Sequence, residues 1–92
     1  MEIEGRLHIL RLDRPTDAQP WTYDVTYIPN QGSGWAKPHK CVGLESLGAY
    51  LGEVGILPDY IKRAIEKLER DGDSQIPTVR LTRERLKTLG LL

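Results

Sequence analysis

The sequence predicts an α+β fold: a small, mostly antiparallel sheet with helices packed on one face. Three observations predict it. Apolar residues alternate with polar ones through the first third of the chain, the signature of half-buried strands. From Leu44 onward the apolar spacing changes to three and four, the period of helices covering a core. Late in the chain, 75–81 returns to an extended pattern before a last short helical segment. The order is therefore strand, strand, weak strand, helix, helix, strand, helix. This describes a three-stranded meander plus a late edge strand, covered by an αα-hairpin and a short C-terminal helix. Ninety-two residues leave room for one domain, 1–92.

In the first strand, Ile3, Leu7 and Ile9 share one parity while Glu2, Glu4, Arg6 and His8 share the other. The alternation breaks at Leu10 and Leu12, which predicts a bulge or a change of environment there. Residues 13–20, with Pro15 and Pro20, read as a loop. Trp21, Tyr23, Val25 and Tyr27 then alternate with Thr22, Asp24 and Thr26, the cleanest period-two signal in the chain. Their shared parity places these aromatic rings in the core. Residues 29–34 form a second loop, and 35–42 return as a third strand. Pro38 lacks a donor for the ladder and marks that strand as an edge or irregular one.

Leu44, Leu47, Leu51 and Val54 lie on one helical stripe, ended by Gly55, which predicts a helix over 44–54. Pro58 and Asp59 open a second helix over 58–71, with Leu57, Ile61, Ala64, Ile65 and Leu68 as its apolar stripe. Leu47, Leu51, Ile61, Ile65 and Leu68 are the expected core of this hairpin, and Glu66 and Arg70 an expected i,i+4 pair on its outer side. Gly72 stops the helix. In 75–81, Val79 and Leu81 share a face, and Pro77 puts the strand at an edge. Thr82 is a good N-cap, with Leu81 and Leu86 placed as a hydrophobic staple.

Composition excludes several functions. Thirteen basic side chains balance thirteen acidic ones, and the halves are balanced too: five against six in 1–46, eight against seven in 47–92. A domain living on phosphate backbone shows a basic excess, which only 80–87 approaches. The single Cys41 excludes an internal disulfide and a Cys-rich zinc site. No apolar run reaches the roughly 18–20 residues of a membrane span, and the N-terminal residues do not read as a signal peptide. A soluble, cytoplasmic protein is the expectation.

Ser46-Leu47-Gly48-Ala49-Tyr50-Leu51 followed by 61–68 resembles the helix-turn-helix of winged-helix regulators, which implies a second helix in the major groove. Asp59 at the start of that helix repels phosphates, its outer face mixes Lys62, Arg63 and Lys67 with Glu66 and Glu69, and no two-stranded wing follows. The front half likewise resembles the three-stranded sheets that some integrases lay into a groove. Its central strand, however, offers Thr22, Asp24 and Thr26 where such sheets carry Arg and Lys.

His39 and Cys41 lie two apart on an extended segment. Structural zinc wants four ligands, and the only other imidazole is His8. Cys41 therefore reads as a small core hydrophobe and His39 as a surface residue. Residues 31–35 lack the lysine and glycine spacing of a phosphate loop, and no carboxylate stands out as an acid or base. No catalytic residue, metal or cofactor is assigned. Trp35 differs from the other aromatics, since it follows a glycine-rich tip and precedes Lys37, His39 and Lys40, the composition of a binding rim. The expectation is a small non-catalytic interaction module that binds a partner protein or a second copy through Trp35, Lys37, His39 and Lys40. The alternative is a nucleic-acid-binding domain using the helix pair or 80–87.

Overall fold

In the computed structural model, which describes residues 2–31 and 37–92, each alternating segment becomes a strand and each three-four segment a helix. The elements are β1 (Glu2–Arg11), β2 (Thr22–Pro29), β3 (His39–Val42), α1 (Leu44–Val54), α2 (Pro58–Asp71), β4 (Asp73–Thr82) and α3 (Arg83–Thr88). The four strands form one antiparallel sheet in the order β3-β2-β1-β4. The predicted meander is its first three strands, and β4 joins beside β1. The fold is α+β, as the periodicities predict.

Strand parity decides which side chains meet the helices. Leu7, Ile9, Tyr23, Val25, Tyr27, Cys41, Ile76, Val79 and Leu81 are buried toward the helical layer. Arg6, His8, Thr22, Asp24 and Thr26 stand on the other face of the sheet. Leu47, Tyr50, Leu51 and Val54 of α1, Ala64 and Leu68 of α2, and Leu86 of α3 close the core from above. Three expectations are corrected here. Ile61 and Ile65 are only half-buried, and Leu57 is 63% exposed, because α2 packs on β4 near the sheet's margin and turns one flank of its stripe outward. Arg70 pairs with Asp71 at 3.5 Å, not with Glu66.

Of the two alternatives expected at Leu10 and Leu12, the bulge is not found at Leu10 but elsewhere. Leu10 keeps its register opposite Asp24 and Asp73, whereas the β1–β4 register shifts between Gly5 and Leu7. There Pro77 and Thr78 together face Arg6, and Thr78 takes φ 61. Proline cannot donate to the ladder, so the extra residue falls beside it.

The caps follow the sequence closely. Gly55 takes φ 108, and the Ile56 N–H turns back to the Leu51 carbonyl at 3.0 Å, a left-handed stop that a side chain would strain. Thr82 Oγ1 accepts from the Arg85 N–H at 3.0 Å, a cap worth about 1 kcal/mol. Tyr50 donates its hydroxyl to the Leu89 carbonyl, tying α1 to the segment after α3. Among the described residues no helix is long and apolar enough to cross a membrane.

Candidate functional site

Of the residues predicted to form a binding rim, His39 and Lys40 do not share one face of the sheet. Trp35 lies outside the described residues. Lys37 is exposed ahead of β3. His39 and Lys40 are consecutive in β3 and therefore project from opposite faces of the sheet. Lys40 is exposed opposite Asp24. His39, read from sequence as a surface residue, is half-buried: its ring stacks on Tyr50 at 4.0 Å between centroids, with the planes 8° apart. Cys41 is 4% exposed, and burial pushes its thiol above the ordinary value, which favours the neutral form over a nucleophilic thiolate. Among the described residues no group of three or more His, Cys, Asp and Glu could hold a metal ion.

β3 is nevertheless an edge. The Gly43 N–H donates to the Trp21 carbonyl, which sets the phase of the β2–β3 ladder. Odd residues of β3 bond inward, so the backbone groups of Lys40 and Val42 point away from the sheet. Val42 is 56% exposed beside them.

The other edge also carries a concavity. The Arg11 N–H donates to the Gly72 carbonyl, so Ser74 and Ile76 bond to β1 and the backbone of Gln75 faces outward. Along this edge the α1–α2 turn and the first turns of α2 overhang β4. A cavity of about 500 Å³ lies beneath, among them Ile56, Leu57, Tyr60, Pro77, Val79 and Arg80. A second cavity of about 220 Å³ continues it past Tyr60 to Arg63, Lys67 and Gln75. Leu57 and Tyr60, exposed by 63% and 53%, stand at the mouth. Four large hydrophobics are conspicuously exposed among the described residues, and two of them belong to this cleft.

The charges of the cleft are one-sided. Arg63, Lys67 and Arg80 line it, and no carboxylate is among its described lining residues. Lys67 is balanced by Asp71 and Asp73 at 3.4 Å, and Arg80 by Glu4 at 3.0 Å. Among the described residues Arg63 has no carboxylate partner within 4.0 Å; its guanidinium sits 5.9 Å from the Tyr60 ring centre. Sequence reading missed this site because Leu57 completes an apolar stripe on paper. The available signal was Tyr60, Arg63 and Lys67, which recur at helical spacing beside that stripe. The helix pair considered for DNA binding is used as a sheet-covering hairpin, and in 80–87 Arg80 holds Glu4 while Arg85 donates to the Glu53 carbonyl. The chain matches no known family model, no curated protein and no solved structure.

Proposed function

We propose that this chain is a small non-catalytic interaction module that docks a partner protein in the cleft between α2 and the free edge of β4. The observation that carries the reading is the pairing of Leu57 and Tyr60, both mostly exposed, over a cavity of about 500 Å³. Burying exposed apolar surface contributes roughly 25 cal/mol per Å². An aromatic ring at a cleft mouth is also the kind of side chain that dominates binding energy. Selection of a displayed random-peptide library on the purified chain tests the reading. Enriched peptides should lose binding to Tyr60→Asp and keep it with Val42→Asp. Peptides indifferent to Tyr60→Asp, or no enrichment, would overturn it.

The edge of β3 supports a second reading, self-association by strand addition. With Lys40 and Val42 both bonding outward, a two-fold pairing centred on Cys41 sets Lys40 opposite Val42 of the second copy. Like charges then do not meet. Sedimentation velocity over a concentration series checks it. A dimer abolished by Val42→Lys is the expected result, and a monomer at all concentrations removes this reading.

A further inference from the structure

From the charge and hydrogen-bonding pattern of the cleft, we infer that its occupant is a short extended segment of a partner protein in which acidic and apolar side chains share one face. This rests on the peptide-docking reading above and adds the chemistry of the ligand.

The backbone of β4 sets the conformation. Gln75 presents an N–H and a carbonyl outward with no partner among the described residues. The neighbouring outward positions are limited. The Asp73 carbonyl already accepts from Lys67 Nζ at 3.4 Å, and Pro77 has no N–H to give. Beyond it the bulge at Thr78 turns the strand out of register. An added strand therefore pairs around Gln75 and is stopped at Pro77. Such a stop guards the edge against long, unspecific pairing. Selectivity then falls to side chains.

Those side chains meet two different environments. At the Gln75 end the smaller cavity holds Arg63, a lining cation with no carboxylate partner among the described residues. At the Thr78 end the larger cavity is walled by Ile56, Leu57, Tyr60, Ile76, Pro77 and Val79. A strand directs every second side chain to the same face. A carboxylate over Arg63 and an apolar group in the larger cavity are thus an even number of positions apart. Lys67 and Arg80 are already held by Asp71, Asp73 and Glu4, so a basic segment would meet Arg63 with no carboxylate among the described lining residues to receive it.

Two amidated, acetylated nine-residue probes decide the matter. One alternates valine and leucine on one face with two of those positions replaced by glutamate; the other carries lysine at the same two positions. Both have serine on the opposite face. Binding is read by fluorescence anisotropy, and the site by backbone amide shifts. The glutamate probe should bind with shifts at Gln75, Ile76 and Tyr60, about five- to tenfold tighter than the lysine probe at low salt. Arg63→Glu should invert that preference while leaving the amide spectrum of the free chain otherwise folded. Equal binding of both probes with the same shifts overturns the acidic chemistry but leaves peptide docking intact. Absence of shifts at Gln75 and Tyr60 with either probe overturns both.

Discussion

Replacing Gly5 with alanine tests the packing of the sheet at its tightest point. Gly5 is buried in β1 opposite Pro29 of β2 and Val79 of β4. A Cβ added there would collide with the Ile28 carbonyl oxygen and lie 2.8 Å from Tyr27 Cζ and 2.9 Å from Pro29 Cα. Two of these atoms belong to the backbone of the adjacent strand, which the ladder holds in place. The third belongs to a ring lying across Gly5, whose hydroxyl is 2.8 Å from the Ile3 carbonyl and 2.7 Å from that of Val79. Overpacking costs about 1–3 kcal/mol, and displacing the ring forfeits a buried hydrogen bond of about 1 kcal/mol. The expected loss is about 3 kcal/mol, a large part of the roughly 5–14 kcal/mol total expected for this length. At about 4–8 °C per kcal/mol, the thermal midpoint should fall by roughly 12–24 °C.

Urea unfolding followed by tryptophan fluorescence and circular dichroism measures that loss, and a double-mutant cycle exposes its cause. Tyr27→Phe alone should cost about 1 kcal/mol. In the Gly5→Ala background it should cost little, because the displaced hydroxyl has already lost its acceptors. A Gly5→Ala protein within about 0.5 kcal/mol of the parent, or full additivity with Tyr27→Phe, would refute the reasoning.

Other outcomes follow from burial, backbone strain and titration. Leu51→Ala, at a fully buried position, should cost about 2–5 kcal/mol, whereas half-buried Ile65→Ala should cost about 1 kcal/mol; equal losses in urea melts would mean that α2 is seated more deeply than described. Thr78→Gly should stabilise the chain by roughly 0.5–1 kcal/mol, since relief of a left-handed β-branched residue exceeds the extra entropy of glycine, and a lowered melting temperature contradicts that. Burial, foremost, raises the hydroxyl pKa of Tyr50, Tyr27 and Tyr23 above the ordinary 10. The folded state therefore keeps protons that the unfolded chain releases, and stability is full below about pH 10 and falls as pH rises above it. Tyr50→Phe should flatten part of that alkaline loss, and an unchanged slope would remove Tyr50 from it.

The helix limits 44–54 and 58–71, the Thr82 cap and the edge character of β3 and β4 were all legible in the sequence. Each depends on neighbours a few positions away: the spacing of Leu44, Leu47 and Leu51, the stop at Gly55, the missing donors of Pro38 and Pro77. The tyrosine strand was legible for the same reason, because alternation along one strand is a local property.

What required the tertiary structure depends on where elements lie relative to one another. Leu57 and Ile65 sit on the stripe of α2, yet their exposure is decided by how far α2 overhangs β4. His39 is shielded by Tyr50, a residue of another element, and no spacing within β3 announces that ring. The bulge fell at Thr78, not Leu10, because the registers of β1 and β4 must be reconciled across two strands, and a broken alternation reports only one of them. The cleft is the same kind of object: its walls come from the α1–α2 turn, α2 and β4, segments that local patterning describes one at a time. Local chemistry thus determined the elements and their ends, while the cleft exists only because long-range packing brings those elements together.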